Sequence, residues 1–217
     1  MNAKIIPTVF AYNKKQYEKR LEKLLPLSKE LQVDFMDGLL GTKKGLLPIN
    51  INDLPKNKFF EAHMMVAQPQ QHIQEAAQKG FSRYLFHIES QHTQEETKNL
   101  IQEIKKAKMK PGLVLNPTTP IARIKPFIKD IDVAMLMGHN IGVEGVSLST
   151  GIYNKIRHLH EQFPNLTIEV DGGVTQDNAY RLVQAGATRL SVGSAISNEQ
   201  DPKKALQELQ KSIQQTR

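Results

Sequence analysis

Eight short runs of apolar and β-branched residues recur along this chain, each separated from the next by helical periodicity or turn-forming residues. The runs lie at residues 4–8, 32–36, 59–64, 84–87, 112–115, 133–137, 167–170 and 189–192. Strands that alternate with helical stretches of this length build βα units, so the pattern predicts a parallel sheet. No linker or low-complexity break interrupts it, and residues 1–217 are read as one domain. Eight units in 217 residues leave roughly 27 residues each, which suits a compact (β/α)8 barrel of the TIM type. A doubly wound open sheet is the competing arrangement. It calls for a glycine-rich turn after the first strand, whereas Thr8 leads into Val9, Phe10, Ala11 and Tyr12.

The connecting stretches carry their own punctuation. Thr93 and Glu96 form a capping box ahead of Leu100, Ile101, Ile104 and Ala107, which share one helical face. Thr119 before Pro120, and Asp201 before Pro202, each place an N-cap candidate ahead of a first-turn proline and predict a helix there. Pro26 falls inside the first helical stretch, where its missing N–H and its ring predict a kink or an early end.

Charge and cysteine content narrow the chemistry. The chain has a formal charge of +7 and no cysteine, so disulfides, thiolate ligands and cysteine nucleophiles are excluded. The basic residues are interleaved with acidic ones: Lys14, Lys15, Lys19, Arg20 and Lys23 alternate with Glu18 and Glu22. Aromatic residues make up only 6% and do not punctuate the basic stretches as stacking platforms would, so nucleic acid is not the expected partner. No apolar run is long enough to span a membrane and no leader pattern opens the chain, which points to a cytoplasmic location.

In a barrel, reacting groups gather at the carboxyl ends of the strands. The residues ending the eight runs are Thr8; Asp34 and Asp37; His63; His87 and Glu89; Asn116; His139 and Asn140; Asp171; and Ser194. Two carboxylates and a histidine at one mouth suit proton transfer or a divalent cation. Asp37 is equally well explained as a cap, His87 reads as a core histidine, and Met36, Met64, Met65, Met135 and Met137 read as core filler. After the last two strands stand Gly172-Gly173 and Gly193-Ser194. Glycine turns at these two strands are where barrels commonly bind phosphate through backbone N–H groups and helix amino termini.

These residues resemble the ribulose-phosphate 3-epimerase family in five segments that occur in order: Val33-Asp34-Phe35-Met36-Asp37-Gly38, Ala62-His63-Met64-Met65-Val66, Gly112 through Pro120, Val170-Asp171-Gly172-Gly173-Val174, and Gly193-Ser194-Ala195-Ile196. The resemblance implies an isomerase of the pentose phosphate pathway that interconverts ribulose and xylulose 5-phosphates. It implies that Asp34 and Asp171 move protons on opposite faces of a planar enediolate. It further implies a divalent metal (Zn, Fe, Mn or Mg) held by Asp34, His63 and Asp171, with Thr8, His63, Gly142, Gly145, Gly172, Gly173, Gly193 and Ser194 around a small phosphorylated sugar. A homo-oligomer is expected on the same ground.

The sequence departs from the family pattern at two places that matter. Gln32 stands where the family has its second metal-binding histidine, and an amide oxygen suits a hard cation better than Zn²⁺ or Fe²⁺. After the sixth strand, Asn140-Ile141-Gly142-Val143-Glu144-Gly145-Val146 replaces the family's proline-glycine-phenylalanine-glycine-glycine loop, keeping two glycines and bringing in a carboxylate. These departures motivate an alternative in a different class: a catalytically weak relative that binds a phosphorylated metabolite or a protein partner.

Overall fold

A computed structural model of the chain describes residues 3–141 and 146–214. Eight strands form: β1 (Lys4–Val9), β2 (Glu30–Met36), β3 (Phe59–Met65), β4 (Arg83–His87), β5 (Lys110–Leu115), β6 (Val133–Met137), β7 (Ile168–Asp171) and β8 (Arg189–Val192). Each pairs in parallel with the next, and β8 returns to β1, so the sheet closes into a barrel without edges. The strands fall where the apolar runs predict them, with β2 and β5 starting earlier, at Glu30 and Lys110.

Every strand has two buried faces, and alternate residues serve them differently. Leu31, Val33 and Phe35 of β2, Phe60, Ala62 and Met64 of β3, and Ile168 and Val170 of β7 join the apolar shell between sheet and helices. The residues between them are polar and equally buried: Gln32 and Asp34, Glu61 and His63, Glu169 and Asp171, then Arg189 and Ser191 on β8. The barrel interior is therefore polar on the β7–β8–β2–β3 side. Phe10, Met36, Met65, Leu85, Val114, Val133, Met135 and Met137 form a separate apolar cluster.

At the amino-terminal end of the barrel the interior is a charge layer. Arg189 donates to Glu169 at 2.8 Å, to Glu61 at 2.8 Å and to Glu30 at 2.7 Å, while Arg83 donates to Glu61 at 2.6 Å. Burial, and then the neighbouring Glu169 charge, raise the Glu61 pKa well above the carboxylate range. Burial acts the same way on Glu169, but Arg189 outweighs it and keeps that group ionised.

The connections follow the sequence signals with one exception. Helix α1 (Lys14–Leu24) is capped by Asn13 and gives way to a single 3-10 turn at Leu25–Leu27, where Pro26 ends it. Helix α2 (Ile73–Lys79) follows β3, and α3 (Gln94–Lys106) starts at the Thr93–Glu96 capping box. After β5 the helix expected from Thr119 and Pro120 does not form; two 3-10 turns, Ile121–Arg123 and Lys125–Phe127, take its place. The Thr119 hydroxyl bonds Glu89 instead of a helix N–H, and Pro126 withholds a donor from the second turn. Helices α4 (Ile152–Gln162), α5 (Gln176–Gln184), α6 (Ser194–Ser197) and α7 (Pro202–Ser212) complete the outer layer, with Asp201 capping α7 as predicted. Among the described residues no helix is long and apolar enough to cross a membrane.

Candidate active site

Register and alternation bring the candidate residues together. Asp34 and His63 are direct partners across β2 and β3, and both face inward. Asp171 ends β7 beside Ser191 of β8. His63 Nδ1 lies 3.0 Å from Asp34 Oδ1 and 3.0 Å from Asp171 Oδ2. One donor atom from each of the three residues lies within 4.8 Å of the others, and all three residues are buried.

Gln32 completes this cluster from below. Its amide nitrogen donates to Asp34 Oδ1 and Asp171 Oδ2, at 2.8 Å each, and its oxygen accepts from the Ser191 hydroxyl at 2.9 Å. The Ser191 hydroxyl is also 2.6 Å from Glu169 Oε1, which ties the cluster to the charge layer beneath it.

The two carboxylates are not equivalent. Burial and then the nearby Asp171 charge push Asp34 up to about 6. Burial also acts on Asp171, but hydrogen bonding to His63 and the His63 charge outweigh it and hold this group below the ordinary range. For His63 burial disfavours the imidazolium, yet the carboxylates overcome it and raise the ring to about 10. Environments that push neighbouring carboxyl groups apart are those that divide acid and base roles.

An open cavity lies over the pair, and Asp34, Asp171, Thr8, Gly172, Gly173, Gly193 and Ser194 all line it. Phe10, Met65, Met137, His139, Val174 and Ser191 supply the rest of its wall, which sequence reading did not assign to the site. His63 has no exposed surface and sits behind the carboxylates, where a metal ligand can act but a sugar or phosphate cannot reach it. Gly142 and Gly145 lie outside the described residues.

The strand-seven turn depends on glycine. Gly172 and Gly173 have φ of 93° and 74°, and a Cβ on Gly172 would stand 2.8 Å from His139 Nε2. Gly193 leads into α6, which has only four residues, so the helix-terminal charge expected beside this turn is small.

Two strand-end residues serve other purposes. Asp37 accepts from Leu39 N and Ala67 N, at 2.7 Å each, and so pins the loops after β2 and β3 without entering the cavity. His87 is buried, as a core histidine should be, but it is not bland: its Nε2 lies 3.0 Å from His63 Nε2 and its Nδ1 lies 3.3 Å from Glu89. Sequence reading also missed Ser191 and Glu169. The signal was available, because a parallel barrel strand buried on both faces is normally apolar throughout, whereas β2, β3, β7 and β8 alternate polar with apolar residues.

Two carboxylate oxygens and one imidazole nitrogen, with an amide at the fourth corner, are a donor set that could hold a divalent cation. The arrangement can also move protons, since both carboxylates open onto one cavity.

Comparisons with known proteins show the family and the fold. A family profile described as "Ribulose-phosphate 3 epimerase family" matches residues 4–197. The chain is 29% identical to the ribulose-phosphate 3-epimerase of Schizosaccharomyces pombe, over 98% of this chain and 95% of that protein. It is 32% identical to the ribulose-phosphate 3-epimerase of Bacillus subtilis, over 84% of this chain and 86% of that one. Among solved structures, the barrel of KGPDC from Streptococcus mutans superposes with a TM-score of 0.74 at 13% identity and covers 98% of each chain. That last likeness is one of fold. The match across most of the chain identifies it as a member of the ribulose-phosphate 3-epimerase family, whose members are isomerases.

Proposed function

We propose that this chain epimerises a ketose phosphate, interconverting D-ribulose 5-phosphate and D-xylulose 5-phosphate, with Asp34 and Asp171 as the proton-transferring pair. The observation that carries this reading is that two buried carboxylates with opposed pKa shifts open onto one cavity also lined by two glycine turns. Phosphate sits against the backbone of Gly172-Gly173 and Gly193-Ser194, which leaves the sugar's carbonyl end over the carboxylates. One aspartate removes the proton from C3, the carbon beside the ketone. The electron pair moves onto the carbonyl oxygen to give a planar enediolate, and the other aspartate protonates C3 on the opposite face. The Thr8 hydroxyl, at the cavity wall, is positioned to bond a sugar oxygen.

His63 and Gln32 hold the two carboxylates at fixed separation and supply positive charge and hydrogen-bond donors beneath them. A divalent cation bound by Asp34, His63 and Asp171 would supply further positive charge beside the oxygens of the enediolate. Met65, Met137 and Phe10 exclude water from the reacting carbon.

A ¹H NMR assay of D-ribulose 5-phosphate incubated with the protein and added Mn²⁺, Mg²⁺ or Zn²⁺ tests the reading. Accumulation of D-xylulose 5-phosphate to equilibrium is the expected outcome. The hydrogen bonds from Gln32 to both carboxylates also fit a relative that binds the sugar phosphate without turning it over. In that case the ligand would raise the melting temperature while the NMR spectrum stayed unchanged.

A further inference from the structure

The end of the Gln32 side chain occupies the fourth corner of the Asp34–His63–Asp171 cluster. Its nitrogen is 2.8 Å from each carboxylate and 3.4 Å from His63 Nδ1. An amide is nearly two-fold in shape, so a half-turn about its last side-chain bond exchanges the NH₂ and the carbonyl oxygen and leaves every other atom in place. The exchange is acceptable only if the group on the other side can accept the NH₂.

Ser191 can. Its hydroxyl has one hydrogen and two neighbouring acceptors, Gln32 Oε1 at 2.9 Å and Glu169 Oε1 at 2.6 Å. Arg189, 2.8 Å from the other Glu169 oxygen, keeps that carboxylate an acceptor. With its hydrogen given to Glu169, the hydroxyl offers its lone pairs to the Gln32 NH₂. The turned amide then keeps a partner on one side and directs its oxygen into the cluster on the other. Facing two carboxylates alone, that oxygen would be repelled; facing a cation between them, it is a ligand.

We propose that Gln32 is a rotating fourth ligand: its NH₂ joins the two carboxylates in the metal-free site, and its carbonyl oxygen turns inward when a divalent cation binds, with Ser191 accepting the displaced NH₂. The proposal rests on the reading of the cluster as a cation site. It has a chemical consequence. Three oxygens and one imidazole form a harder donor set than two carboxylates and two imidazoles, so Mn²⁺ and Mg²⁺ gain on Zn²⁺ relative to a site with histidine at this position.

The test uses the full chain stripped of metal by EDTA, with no sugar present, so it is independent of turnover. Mn²⁺ affinity is read from the free-ion EPR signal and Zn²⁺ affinity by competition with a chromophoric chelator, for wild type, Gln32→Leu and Gln32→His. Gln32→Leu should bind Mn²⁺ at least about tenfold more weakly, and Gln32→His should shift the Zn²⁺-to-Mn²⁺ preference toward Zn²⁺ by about tenfold or more. In wild type, saturating Mg²⁺ should bring the Gln32 side-chain NH₂ protons into NOE contact with the Ser191 β-protons. Wild-type Mn²⁺ affinity in a folded Gln32→Leu protein, or NH₂ contacts that do not change with Mg²⁺, would overturn the rotation alone. A wild-type chain that binds neither Mn²⁺ nor Mg²⁺ would overturn the rotation and the cation site together.

Discussion

The rings of His63 and His87 lie within 19° of parallel, with their Nε2 atoms 3.0 Å apart. One of the two must donate and the other accept. Since His63 Nδ1 is committed to the carboxylates, His63 Nε2–H donates to His87 Nε2, which leaves the proton of His87 on Nδ1, 3.3 Å from Glu89 and without a hydrogen bond of good geometry. This chain fixes the tautomer and orientation of a ring that has no contact with solvent. His87→Phe removes the acceptor and leaves a buried N–H unpaired, at an expected cost of about 1–3 kcal/mol. Urea denaturation should show a lower midpoint with an unchanged slope.

The charge layer under the site makes a second prediction. Arg189→Met leaves Glu169 and Glu30 without their guanidinium partner, and breaking a buried pair on one side costs about 3–5 kcal/mol. Adding Glu169→Gln removes the stranded charge, so the double variant should recover part of the loss. Equal stability of the single and double variants in chemical denaturation would show that Glu169 is not the group Arg189 compensates.

Acid stability should report on Glu89. Burial pushes its carboxyl up, but the adjacent His87 ring and the bonds from Thr119 and Asn116 N hold it down at about 2. A depressed folded pKa gives stability that is present in full above the unfolded value of 4.5 and is lost as pH falls toward 2. The stabilisation at stake is on the order of 3 kcal/mol. Glu89→Gln should therefore be less stable than wild type at neutral pH, and the gap should close between pH 4.5 and 2. A gap that stays constant over that range would contradict the assignment.

Gly172 carries both conformation and space. Gly172→Ala forces a left-handed backbone on a residue with a Cβ, at about 1–2 kcal/mol, and sets the methyl against His139. Lower thermal stability and a raised KM for the sugar phosphate are expected together, because the same turn lines the cavity.

The barrel was legible because each strand's outward face is apolar and each run is bounded by turn residues, so the eight repeats stand out before any residue is interpreted. Asp34, His63 and Asp171 were legible through their positions near strand ends. The inward polar residues Glu61, Arg83, Glu169, Arg189 and Ser191 were not, since a search confined to the carboxyl ends passes over the starts of the same strands. Only closure of the sheet brings Arg189 of β8 against Glu61 of β3. The region after β5 went wrong for a local reason: the Thr119 hydroxyl that marks a helix start is captured by Glu89, a partner on another strand-end loop. Gln32 could be located by its position in the sequence, but its bonds to both carboxylates depend on β7 standing beside β8 and β8 beside β1.

Solvent deuterium incorporation tests the central claim most directly. In D₂O, wild type acting on D-ribulose 5-phosphate should place deuterium at C3 as fast as it forms D-xylulose 5-phosphate. Asp34→Asn and Asp171→Asn should each slow that exchange by about a hundredfold or more. Turnover that leaves C3 free of deuterium, or exchange at the wild-type rate in either Asn variant, would contradict the two-aspartate account.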